Sequence, residues 1–234
     1  MGDPVEAIAF YAVFVFSVTI HEASHAWAAM IGGDLTAYEG GQVSIDPLPH
    51  MKREPFGMVI LPVLSVFSTG WPIGYASAPY NAVWAERYPE RAGWMALAGP
   101  GANLAMALLV WLIVRFGLGA EYFQPPDFIG FSSMTAAVGD PNGLAAGAAF
   151  VLSILFSMNL LLFVLNMLPL PPLDGAAALV LILPENLLDG YRKLIHQPFF
   201  AIVGLLLVWN LVGEIFHPVL MGAIELLYPE VRYG

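Results

Sequence analysis

Between Asp140 and Asp174 the chain runs through 33 residues without a charged side chain, and other long apolar stretches lie before and after it. Runs of this length leave few options for the backbone. In hydrocarbon no water is available to bond N–H and C=O groups, so each segment must satisfy them internally, as an α-helix does. Hydrophobic residues make up 59% of the 234 positions and charged residues 11%, against about 45–50% and 25% in a soluble domain. The expected fold is an all-α polytopic membrane protein, a single domain over residues 1–234 with the lipid bilayer as its first partner.

The pattern predicts four main transmembrane helices, over 5–31, 93–118, 143–168 and 198–220. Gly32-Gly33 stops the first, and Pro100 kinks the second or starts its helix proper. Pro169, Pro171 and Pro172 break the third, and a shorter helix over 173–183 follows the Leu-Asp-Gly turn at 173–175. Residues 55–85 are uncharged but punctuated by Gly57, Pro62, Gly70, Pro72, Gly74 and Pro79, which fits either a span or a re-entrant segment. Short cytoplasmic loops carry the excess of Lys and Arg. A re-entrant segment puts Lys52, Arg53, Arg87, Arg91, Arg192 and Lys193 on one side and leaves Arg115 and Arg232 on the other. That reading is preferred, with the N-terminus outside and the carboxyl end of the first helix at the cytoplasmic face. Trp71, Tyr75, Tyr80, Trp84, Tyr88 and Trp94 are expected at that interface. A short strand or hairpin is expected within 37–45. Asp3 and Glu6 stand where a signal peptide carries positive charge, so the first helix reads as retained.

A net charge of −10 with scattered basic residues argues against nucleic acid as a partner. With no cysteine, a zinc ion has only His, Asp and Glu to bind. His21 and His25 are four residues apart and bracket Glu22 inside the first apolar run, so both imidazoles fall on one helix face. Asp46, His50, His196, His217 and Asp174 are the candidates for a third ligand. Asp174 stands out because intramembrane carboxylates are usually functional. Counting residues to the helix ends places His25 and Asp174 at a matching depth, roughly 9–15 Å below one face.

Three segments together resemble the site-2 protease family of intramembrane zinc metalloproteases, in its compact bacterial and archaeal form. They are His21-Glu22-Ala23-Ser24-His25, Ala98-Gly99-Pro100-Gly101-Ala102-Asn103-Leu104, and Asn166-Met167-Leu168-Pro169-Leu170-Pro171-Pro172-Leu173-Asp174-Gly175. Residues 37–57 also look like a membrane-associated segment of compact members. The resemblance implies one Zn2+ held by His21, His25 and Asp174, Glu22 as general base, and Asn103 as a substrate-positioning residue. It implies hydrolysis of peptide bonds within or near transmembrane segments of membrane-protein substrates, and the charge bias places the active site near the cytoplasmic face of the cell membrane. Gly74-Tyr75-Ala76-Ser77-Ala78-Pro79-Tyr80-Asn81 departs from the Pro-Val-Pro-Val type of segment in many compact members, and the chain leaves no room for the PDZ insertion of larger ones.

Two other classes compete. A catalytically silent metal-binding scaffold or chaperone of the same fold has no need of Glu22. A zinc transporter needs acidic or histidine residues at several depths along a path.

Overall fold

The structure is a computed structural model that describes residues 4–233, so Asp3 lies outside it. Four helices are long and apolar enough to cross a membrane: α1 (Pro4–Ile31), α6 (Pro89–Gly119), α7 (Leu144–Asn166) and α10 (Pro198–Leu227). Shorter helices join them: α2 (Thr36–Glu39), α3 (Pro47–Arg53), a π-helical turn (Phe56–Ile60) leading into α4 (Leu61–Thr69), α5 (Ala82–Arg87), α8 (Asp174–Ala178) and α9 (Glu185–Ile195).

Several boundaries follow from local chemistry. α1 ends at Gly32, whose carbonyl accepts hydrogen bonds from Trp84 Nε1 at 3.0 Å and Arg91 Nη1 at 2.9 Å, and Gly33 then turns the chain with φ of 95°. α6 and α10 open on Pro89 and Pro198, where a missing N–H costs nothing. α6 continues through Pro100 and does not begin there. α10 likewise runs through Pro218 to Leu227, past the expected end at 220.

α6 is the hub, packed against α1, α7 and α8. Val110, Val114, Phe156, Leu160 and Ile224 form the core shared by α6, α7 and α10. Phe10, Phe14, Met58, Val66, Ile154 and Met158 form a second core where α1 meets α4 and α7.

Residues 56–75 turn back on themselves. After α4 the chain reverses at Gly70, with φ of 77°, and returns so that Ile73 N–H bonds Ser65 Oγ at 2.7 Å and Tyr75 N–H bonds the Gly57 carbonyl at 3.1 Å. The chain then runs without helix or strand to Asn81, whose N–H bonds Asp34 Oδ2 at 2.7 Å.

Two local expectations give way. The segment 37–45 contains no strand but starts with α2, because Asp34 Oδ1 accepts from both the N–H and the hydroxyl of Thr36 and tightens a helical turn. Trp71 does not join the other aromatic residues. It packs on Phe10 and Phe131, with centroids at 5.4 and 4.2 Å, whereas Trp84 sits at Gly32. Phe10 and Gly32 are about 33 Å apart along a helix, so the excursion carries Trp71 to the opposite end of α1. The only strands among the described residues are two-residue β1 (Phe123–Gln124) and β2 (Ala136–Ala137), paired antiparallel between α6 and α7.

Candidate metal centre

The spacing of four along α1 stacks His21 over His25 with rings edge to face, their centroids 4.5 Å apart. Both are buried, and their Nε2 atoms lie 2.9 Å from each other. Asp174 is the first residue of α8, and its Oδ2 is 3.0 Å from His21 Nε2 and 3.3 Å from His25 Nε2. Three donor atoms from two distant parts of the chain thus meet in one triangle.

The far sides of both rings fix what those donors are. His25 Nδ1–H donates to the Met95 carbonyl at 2.7 Å, and His21 Nδ1–H donates to Asn103 Oδ1 at 2.6 Å. Each oxygen can only accept, so in the neutral rings the proton resides on Nδ1 and Nε2 presents a lone pair. Two nitrogen lone pairs and a carboxylate oxygen then face one another and need a cation between them. Ligand distances of about 2.0–2.1 Å in a tetrahedral zinc site separate the donors by about 3.3 Å. The observed triangle matches that scale, and the donor set fits zinc.

Gly99 on α6 makes room for the triangle. A Cβ there would stand 2.6 Å from His21 Nε2 and closer still to His25 Nε2. The Asn103 amide is held in turn from behind: its Nδ2 donates to Asn159 Oδ1 at 2.9 Å and to the Ser17 carbonyl at 3.4 Å, while Asn159 Nδ2 donates to Ser17 Oγ at 2.9 Å. Asn103, Asn159 and Ser17 are fully buried. Asn103 therefore stands behind His21, on the side away from the cleft.

Glu22 is buried too, and its Oε2 has no hydrogen-bond partner. One ligand atom each from His21, Glu22 and His25 lie within 4.8 Å of one another. Glu22, His25 and Asp174 line a cleft of about 550 Å³, whose walls include Ser77 of the extended segment and Arg192 of α9. Arg53 Nε donates to the Ser77 carbonyl, and Ser77 Oγ to Glu54 Oε1, which ties that wall to α3. Tyr191 OH donates to the Ala176 carbonyl at 2.7 Å and holds α9 against α8.

The other candidate ligands go elsewhere. Asp46 caps α3 by accepting from Leu48 N–H, His50 Nε2 donates to the Ser44 carbonyl, His196 Nδ1 donates to the Arg192 carbonyl, and His217 is exposed on α10. Sequence reasoning missed Asn159 and Ser17, and only the polarity of Asn159 within an apolar helix marked it. Nothing in the sequence points to the Met95 carbonyl.

The profile of peptidase family M50 matches residues 9–209. "Putative zinc metalloprotease YwhC" of Bacillus subtilis is 32% identical over 164 residues, which cover 69% of this chain and 63% of that protein. "Putative zinc metalloprotease Rip2" of Mycobacterium tuberculosis H37Rv is 31% identical over 216 residues, covering 89% of this chain and 71% of the relative. The matched region thus spans less than two thirds of the Bacillus relative. None of the solved structures matches the chain. With most of its length matched by the family profile, the chain belongs to peptidase family M50.

Proposed function

We propose that this chain is a zinc-dependent endopeptidase that hydrolyses peptide bonds within or near transmembrane segments of other membrane proteins. The carrying observation is the convergence of His21 Nε2, His25 Nε2 and Asp174 Oδ2 with both Nδ1 atoms already committed. A zinc ion bound there would polarise the scissile carbonyl and lower the pKa of a water toward about 7.

The protein's own residues do the rest. His21, His25 and Asp174 are the ligands, and Glu22 is the general base, with its unpartnered Oε2 available to take the proton of the attacking water and pass it to the leaving amine. Asn103 bonds His21 Nδ1, which supports a role in fixing that ring's tautomer and plane. The cleft admits water to a site flanked by apolar helices. A substrate helix hides its peptide groups in internal hydrogen bonds, so it must unwind before entering this cleft.

The topology follows the same reading. α1, α6, α7 and α10 cross the membrane, and residues 56–75 re-enter, a reading supported by the return of Ile73 to Ser65 and Tyr75 to Gly57. Arg91 bonds the Gly32 carbonyl and Arg192 bonds the Glu86 carbonyl, gathering positive charge at the carboxyl end of α1. By the positive-inside bias that end is cytoplasmic, and the site lies near it. Reconstitution with single-span substrates tests the function: wild type cleaves and Glu22→Gln does not. Equal cleavage by the two would refute the mechanism.

A further inference from the structure

The middle of α10 carries an exposed polar stripe. Asn210, Glu214 and His217, spaced four and three apart, share one side of the helix and are all exposed. Gly204, Val208, Leu220, Ile224 and Leu227 are the buried residues of α10. Asn210 Nδ2 bonds only the Leu206 carbonyl of its own helix, and neither Glu214 nor His217 has a hydrogen bond or ion pair among the described residues. At 1.5 Å per residue the three fall about 18, 24 and 28 Å along a helix about 45 Å long, inside the central 30 Å that spans hydrocarbon. A carboxylate and an imidazole facing lipid there are costly, and such groups turn toward a partner.

The order of the groups names the partner. A parallel two-fold axis beside α10 brings the same residues of two copies to the same depth, so Asn210 faces Asn210, and Glu214 of each copy lies one turn from His217 of the other. The carboxylate accepts what the imidazole N–H donates, twice by symmetry, and the amide both donates and accepts. A second copy in the same orientation offers each carboxylate an imidazole along the diagonal and each amide an amide, so the stripe is complementary to itself. We propose that α10 is the interface of a homodimer in the membrane, closed by reciprocal Glu214–His217 hydrogen bonds and an Asn210–Asn210 pair. The inference rests on α10 crossing the membrane and is independent of catalysis, since none of these residues lines the cleft.

The absence of cysteine makes the test direct. Leu207 and Leu205 are 43% and 52% exposed, and being two residues apart they point to nearly opposite sides of α10, Leu207 toward the stripe. In membranes containing the full chain, oxidation of Leu207→Cys should give a covalent product of twice the chain mass, and Leu205→Cys should not. Adding Glu214→Leu should cut the yield about tenfold, while bound zinc, measured in parallel, stays unchanged and reports an intact fold. The proposal is overturned by no product from Leu207→Cys, by equal yields at the two positions, by indifference to Glu214→Leu, or by a product whose mass is not double. That last outcome would assign the face to a different protein.

Discussion

The side chains of Asn103 and Asn159 meet 2.9 Å apart in the interior, and this bond sets which end of the Asn103 amide faces His21. Replacing Asn159 by Leu leaves the Asn103 NH2 group short of an acceptor and frees the amide to turn. Zinc affinity should fall by about 10–100-fold, and the unsatisfied buried group should cost about 1–3 kcal/mol of stability. Competition with a chelator of known affinity separates the two effects, and an unchanged zinc affinity in Asn159→Leu would remove Asn159 from the ligand support.

Gly99→Ala improves helix propensity by about 1 kcal/mol yet places a methyl group against both Nε2 atoms. The expected protein is helical and depleted of zinc. Circular dichroism and elemental analysis on the same sample check this, and full zinc occupancy would contradict the crowding.

Asp174→Asn and Glu22→Gln should separate binding from chemistry. The first loses a ligand and should lower zinc content. The second should keep zinc and lose about 10²–10⁴-fold in kcat, the range of a general base. Zinc retention in Asp174→Asn would shift the third-ligand role to Glu22.

Asp34 lies outside the spanning helices and clamps the end of α1 to Asn81. Burial alone would raise its pKa, but hydrogen bonds from the Thr36 hydroxyl and from the N–H groups of Asn81 and Thr36 win, and hold the carboxyl below the usual carboxylate range. A group depressed in the folded state stabilises above its unfolded pKa and loses that contribution as pH falls through the folded value. Thermal unfolding should therefore show Asp34→Asn less stable than wild type at neutral pH, with the gap closing in acid. A gap that is constant with pH would show that the carboxylate charge is not what matters there.

The four long helices were legible because each holds a long apolar stretch with few charges, and a backbone in lipid has little alternative to a helix. His21, His25 and Asp174 were legible for a related reason: polar groups in apolar runs stand out. The support behind them was not. Met95 contributes a carbonyl, which every residue has, and Ser17 is too common in membrane helices to attract notice. The excursion between Asp34 and Asn81 was read only in outline, because Gly and Pro mark where a chain turns but not how far it travels first. Trp71 reached the far end of α1 for packing against Phe10 and Phe131, and no local pattern encodes that.

The donor triangle joins the first helix to a residue that follows the third long one. During synthesis His21 and His25 enter the membrane early, and Asp174 arrives only after α6 and α7 have been made. Until then the growing polypeptide holds two of the three proposed ligands, and Glu22 beside them. On the proposed mechanism, a chain made only as far as α7 cannot assemble the site, so the order of the helices sets when activity can begin.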